Sequence, residues 1–84
     1  MKITLKLFAT LGDYLPPGAR SNEATLEFDG AAPTVGDLIE RHALPPKLVH
    51  LVLVNGAFVT PDARAGHVLK DGDVLAIWPP IAGG

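Results

Sequence analysis

The chain has no cysteine, and among its 84 residues it has a single methionine, tryptophan, tyrosine and serine. Without thiols, neither a disulfide nor a thiolate zinc site can staple the fold, and no cysteine nucleophile exists. Ser21 stands outside any nucleophile-elbow glycine pattern. His42, His50 and His67 lie far apart and at no metal-ligand spacing, and neither a Gly-x-Gly-x-x-Gly nor a Walker pattern occurs. Neither sign of charge dominates. Seven basic and nine acidic residues are scattered along the chain for a net charge of −2, which removes the electrostatic case for a nucleic-acid partner. Long apolar runs are missing too. Leu51-Val52-Leu53-Val54 falls far short of the ~20 residues that a bilayer span needs. Met1-Lys2-Ile3-Thr4 alternates instead of opening a signal-peptide core, so no membrane association and a cytoplasmic location are expected.

What is present is apolar residue, glycine and proline. Hydrophobic residues make up 48% of the chain against 19% charged, so burial has to carry a single small core and a disordered charged tail is excluded. Nine glycines and eight prolines divide it into segments. Lys2 to Phe8 alternates with period two, Ile3, Leu5 and Leu7 on one face and Lys2, Thr4 and Lys6 on the other, which predicts a half-buried strand. Residues 9–15 suit a short helix closed by Pro16-Pro17-Gly18, and Glu23 to Phe28 alternates again. Thr34 opens the main helix. Thr34 and Asp37 have capping-box spacing, Val35, Leu38, Ile39 and His42 form its apolar stripe, and Pro45-Pro46 ends it after about nine residues. Leu48 to Val54 reads as a strand turning at Asn55-Gly56, the dipeptide preferred in type I′ hairpins, into Ala57-Phe58-Val59. A loop over residues 60–70 leads to an Asp71-Gly72-Asp73 turn and a last strand, Val74 to Trp78.

The order β-β-α-β-β-β, with one helix for about five strands, predicts an α+β fold in which the helix covers one face of one mixed sheet. The first and last strands can pair in parallel at its centre, which is a ubiquitin-like β-grasp. On this reading residues 1–78 form the domain and residues 79–84 an extended tail.

No catalytic constellation is visible. Asp62, Asp71 and Asp73 suit turns and Asp37 a first helical turn, while His42 sits on the packed stripe of the helix. The tail is different. After Trp78, Pro79-Pro80 fix φ and remove two N–H donors, which stops the chain from rejoining a ladder. Ile81 and Ala82 follow, and Gly83-Gly84 leave the last peptide units without side chains. A backbone that threads a narrow channel and presents its own carboxylate to another protein needs both features.

The run Asp71-Gly72-Asp73-Val74, followed by Trp78-Pro79-Pro80-Ile81-Ala82-Gly83-Gly84, resembles the ending of the MoaD/ThiS family of ubiquitin-like sulfur carriers. The likeness extends over the chain, through the first strand, the Val54-Asn55-Gly56 hairpin and the double-glycine end, and is greatest to the small subunit of molybdopterin synthase. It implies that the protein is a carrier and co-substrate with no bound cofactor or metal. An adenylating enzyme of the ubiquitin-activating type would use ATP to activate the Gly84 carboxylate. A sulfurtransferase or cysteine desulfurase would then supply sulfur to give a thiocarboxylate. The large subunit of molybdopterin synthase, or an analogous acceptor, would receive it. Thiamine thiazole, cysteine and tRNA thiolation are alternative destinations, and a ubiquitin-like modifier or interaction module is the alternative of another class. In the carrier reading Gly84 holds the reacting atom, while Pro79, Pro80, Ile81, Ala82 and Gly83 thread the partner's active site.

The last strands are apolar on both parities, Val74, Ala76 and Trp78 on one and Leu75 and Ile77 on the other, although one helix covers only one face. An exposed apolar patch is therefore expected beside the tail, with Phe8, Trp78 and Ile81 in a partner interface. The alternative is that residues 60–70 fold over that face.

Overall fold

The alternation of β1 (Lys2–Leu7) sends Ile3, Leu5 and Leu7 inward, and all three are buried in the computed structural model, which describes residues 1–80. Ile81, Ala82, Gly83 and Gly84 lie outside the described residues. β2 (Glu23–Glu27) pairs antiparallel with β1, setting Ile3 against Leu26 and Leu5 against Ala24. β5 (Val74–Trp78) pairs with β1 in parallel, with Leu5 beside Leu75 and Leu7 beside Ile77. β3 (Leu51–Val54) runs antiparallel to β5 on its other side, and the two-residue β4 (Ala57–Phe58) completes the edge. The sheet order is β2-β1-β5-β3-β4, the mixed five-stranded β-grasp expected, with the first and last strands adjacent at its centre.

The helix α1 (Val35–Arg41) is shorter than expected but starts where its capping residues place it. The Asp37 N–H donates to Thr34 Oγ1 at 3.0 Å, and the Thr34 N–H donates to the Asp37 carboxylate at 2.9 Å. That reciprocal pair satisfies two of the helix's free donors. Val35 and Leu38 are buried against Ile3, Leu5, Leu7, Val52, Val54, Leu75 and Ile77, so helix and sheet share one core. Each such side chain contributes about 1.5–3 kcal/mol when fully buried. His42 is half-buried at the helix end, with Nδ1 donating to the Leu38 carbonyl at 2.9 Å, a packed boundary position as expected.

The short helix expected over residues 9–15 is a 3₁₀ helix, Ala9–Tyr14, which buries Leu11, and two other segments differ from the sequence expectation. Residues 46–48 form a 3₁₀ turn, Pro46–Leu48, so the strand expected from Leu48 begins only at Leu51. Two consecutive prolines fix φ there and supply no donors, which favours a turn over a ladder. The loop over residues 60–70 contains a 3₁₀ segment, Pro61–Gly66, opened by proline at its first turn. At Asn55-Gly56, φ is +51° and +84°, the two left-handed residues that a type I′ hairpin turn needs.

Candidate functional site

Trp78 is the last residue of the sheet, and the site is built around it. On the β1 side the Phe8 N–H donates to the Ile77 carbonyl at 3.1 Å, and the Phe8 ring stacks on the indole with centroids 4.1 Å apart and planes 2° from parallel. The stack follows from register. Leu7 lies beside Ile77, so the next residues of the two parallel strands, Phe8 and Trp78, emerge together on the outer face. On the β3 side Leu51 is paired with Trp78, and the His50 N–H donates to the Trp78 carbonyl at 3.1 Å. Pro79 and Pro80 follow, with no N–H to extend the ladder.

The outer face is divided. Residues of the parity opposite to the core are Glu23, Thr25 and Glu27 on β2, Lys2, Thr4 and Lys6 on β1, Val74, Ala76 and Trp78 on β5, and Leu51 and Leu53 on β3, with Phe58 across from Leu53. One half is charged and polar, with Lys2 opposite Glu27 and Lys6 opposite Glu23. The other half is apolar. Leu51 is 36% and Phe58 55% exposed, and Leu53, Val74, Trp78 and Phe8 are half-buried. Residues 60–70 do not cover it. They pack beside α1, where Val68 bridges to Thr34 and Ala65 approaches Gly36. An exposed apolar patch beside a tail is the arrangement that marks a protein interface.

Of the residues expected to form the site, the structure brings Phe8 and Trp78 into contact, places Pro79 half-buried and leaves Pro80 exposed at the root of the tail. Ile81, Ala82, Gly83 and Gly84 are outside the described residues, so their expected roles are not located. Among the described residues no cluster of His, Asp and Glu is arranged to hold a metal ion, and no helix is long and apolar enough to cross a membrane. A shallow groove at the β1–β2 edge, lined by Thr4, Gly18, Arg20, Glu23, Ala24 and Thr25, lies on the polar half of the sheet.

Two groups escaped the sequence reading. The Asp73 carboxylate, buried at 9% exposure, accepts from the Lys70 N–H and from Asn55 Nδ2, both at 2.8 Å. Burial alone would raise its pKa, but these bonds, with the nearby charges of Lys70 and His67, hold it below the usual carboxylate value. Arg64 is the other. Its guanidinium donates from Nε to the Val59 carbonyl at 3.3 Å, from Nη1 to Val49 at 3.4 Å and from Nη2 to His50 at 3.1 Å. Asp-Gly-Asp reads as a turn whatever its carboxylates hold, and an arginine in a loop reads as solvated, so neither gave a local signal.

A five-stranded mixed sheet with parallel central strands and, among the described residues, one α-helix packed on one face defines a ubiquitin-like protein. The family model described as Mut7-C ubiquitin matches residues 1–82, and the chain belongs to that family. It is 42% identical over 76 residues to small archaeal modifier protein 3 of Haloferax volcanii, spanning 90% of this chain and 71% of that protein. Among solved structures, SAMP1 from Haloferax volcanii superposes over the whole of both chains with a TM-score of 0.66 and 31% identity. A Pyrococcus furiosus protein assigned as molybdopterin converting factor, subunit 1, matches with a TM-score of 0.66 and 26% identity over 95% of this chain and 98% of its own. The β-grasp fold and the likeness to MoaD-type small proteins, both expected from the sequence, are borne out.

Proposed function

We propose that this chain is a sulfur carrier that works through the carboxylate of Gly84, in molybdopterin biosynthesis as the small subunit of the synthase. A carboxylate is a poor electrophile, so an adenylating enzyme of the ubiquitin-activating type joins it to AMP from ATP and releases pyrophosphate. A persulfide on a sulfurtransferase or cysteine desulfurase attacks the acyl carbon and expels AMP. Cleavage of the resulting acyl disulfide by a second thiol leaves the thiocarboxylate. The large synthase subunit, or an analogous acceptor, takes the sulfur. The protein contributes no catalytic group. It presents an end and docks it.

The observation that carries this reading is the root of the tail. The sheet's last hydrogen bond ends at Trp78, two residues without N–H donors follow, and Leu51, Leu53, Phe58 and Trp78 offer an apolar surface with Phe8 at its rim. The resemblance to a protein assigned as molybdopterin converting factor, subunit 1, supports it. The test is intact mass spectrometry after incubation with ATP, the adenylating enzyme of the same genome and a persulfide donor. The expected product carries sulfur in place of one carboxylate oxygen, and its absence with an enzyme that does form the adenylate would overturn the carrier reading.

A second reading has its own support. The relative at 42% identity is named small archaeal modifier protein 3 and the structure at 31% identity SAMP1, and on a modifier reading the activated Gly84 acyl group is transferred to lysine amines to form isopeptides. The same reactions distinguish the two. Isopeptide-linked species that form without thiocarboxylate mark a modifier, and thiocarboxylate without conjugates marks a carrier.

A further inference from the structure

Arg64 is engaged in an unusual way for a loop arginine. Its three nitrogens each donate to a backbone carbonyl, those of Val59 after β4 and of Val49 and His50 before β3. Its pKa is lowered by desolvation, and no carboxylate among the described residues is a cause of any opposing shift. Immobilising such a side chain costs further rotamer entropy. A loop needs no such device, and the carbonyls themselves explain what it does.

The carbonyls of Val49 and His50 lie where the sheet has run out of donors. Extending the β3–β5 register beyond the Leu51–Trp78 pair sets His50 and Val49 opposite Pro79 and Pro80. Extending the β3–β4 register sets His50 opposite Pro61. Proline has no N–H, so neither flanking strand can satisfy the His50 carbonyl, and the continuation of β5 cannot satisfy that of Val49. Arg64 donates to both instead. The planar fork of a guanidinium can reach several acceptors at once, which a lysine ammonium on its flexible stem does not reproduce.

The segment held in this way is the one that holds Trp78. The His50 N–H gives the bond to the Trp78 carbonyl, and Val49 and His50 lie between the 3₁₀ turn Pro46–Leu48 and the first residue of β3. On its other side Trp78 is braced by the Phe8 ring and by the Phe8 N–H bond to Ile77. Pro79 leaves from between these two supports, one a stacked ring and the other a backbone segment that Arg64 fixes.

We propose that Arg64 is a positioning residue for the root of the C-terminal tail: its guanidinium supplies donors that Pro61, Pro79 and Pro80 lack, and so fixes the backbone against which Trp78 launches Pro79 and Pro80. It acts through His50 and touches no reacting atom. The inference rests on the proposed carrier reading for its purpose, but the support itself is a property of the isolated protein.

The experiment therefore has two arms, on Arg64→Gln and Arg64→Lys. In the first, amide hydrogen exchange is compared at His50, bonded to Trp78, and at Asn55, bonded to Val74 at 2.9 Å at the opposite end of the same strand pair. His50 exchange is expected to accelerate about tenfold, the order that a charge-assisted hydrogen bond is worth, with Asn55 little changed. Lysine is not expected to rescue it. Equal acceleration at both amides, or none at His50, would overturn the inference. In the second arm, adenylation of the carrier by the genome's ubiquitin-activating-type enzyme is followed by pyrophosphate release. A fall in kcat of several-fold at unchanged KM is expected. A rise in KM at unchanged kcat overturns the assignment, because it would make Arg64 a docking contact. If the wild-type protein is not adenylated at all, the carrier reading fails, and the exchange comparison alone still decides whether Arg64 holds the root of the tail.

Discussion

Asn55 and Asp73, 18 residues apart, are joined by a 2.8 Å hydrogen bond from Nδ2 to Oδ1, and the same Asn55 side chain accepts from the Val74 N–H through Oδ1, also at 2.8 Å. One asparagine in the β3–β4 turn thus ties that hairpin to the first residue of β5. Asp73 completes the tie by accepting from the Lys70 N–H, which closes the turn before β5. Replacing Asp73 with alanine leaves the Asn55 amide and the Lys70 N–H without acceptors. Urea unfolding is expected to show a loss of about 0.5–1.5 kcal/mol, the net worth of a hydrogen bond whose donors can turn to water. A loss indistinguishable from zero would mean that water replaces the carboxylate in full.

The same group sets an acid limit. Asp73 and Asp37 both have pKa values below the ordinary one, Asp73 because its hydrogen bonds and the charges of Lys70 and His67 outweigh burial, and Asp37 chiefly because it accepts from the Thr34 N–H. A carboxylate whose folded value is depressed stabilises the fold above its unfolded pKa of about 3.9, and that stability is lost as pH falls through the folded value. Stability due to these groups should be flat above about pH 5 and fall below about pH 4. In Asp73→Asn the acid slope should be shallower. An identical slope in wild type and variant would show that Asp73 is not depressed.

Gly36 lies within α1, where glycine is ordinarily unfavourable. Its reason is the neighbour. A Cβ there would come within 3.1 Å of the Ala65 Cα, so α1 and the 3₁₀ segment Pro61–Gly66 meet backbone to backbone. Gly36→Val is expected to cost about 1–3 kcal/mol in unfolding, because the two segments must part. They cannot part without disturbing the next residue, Arg64, so the bonds to Val49 and His50 should weaken as well. Thermal melts of Gly36→Val beside Arg64→Gln and the double variant would show that coupling as non-additivity, and strictly additive losses would refute it.

Much of the architecture was legible because it rests on local rules. Period-two alternation in Lys2 to Leu7 gave β1 and its inward face, Thr34 with Asp37 gave the helix start, and Asn55-Gly56 gave the hairpin. The apolar half of the outer face was also legible, since Val74, Ala76 and Trp78 could not share a helix with Leu75 and Ile77. What was not legible depends on distant partners. Nothing local distinguishes Arg64 in a loop from a solvated arginine, and its role appears only when Pro61, Pro79 and Pro80 are seen to flank the same two carbonyls. Asp73 likewise reads as a turn residue until Asn55 is brought beside it. The same limit explains the strand that began late: Leu48 to His50 are apolar enough for β3, but Pro45 and Pro46 wind the backbone into a turn first.

The outer face yields the last prediction. Trp78 is half-buried, with one side of its ring against Phe8, and it lies in the sheet beside Leu51. Removing the indole forfeits the stack, worth about 0.5–1.5 kcal/mol, which a core of Ile3, Leu5, Leu7, Leu75 and Ile77 tolerates. Fold should therefore survive Trp78→Ala, as judged by amide chemical shifts in β1 and β2. Binding to the adenylating enzyme of the proposed function should not. Aromatic residues central to an interface commonly cost 2 kcal/mol or more on truncation, so the Kd is expected to rise by roughly thirtyfold or more. Phe58, at the edge of the patch on the two-residue β4, is a rim position, and Phe58→Ala should raise the Kd only a few-fold. The ordering of the two variants is the decisive result, because it depends on where the partner's footprint is centred. Equal affinity for wild type and Trp78→Ala would move that footprint off this face, while a larger effect at Phe58 than at Trp78 would centre it on the β4 edge, away from the tail.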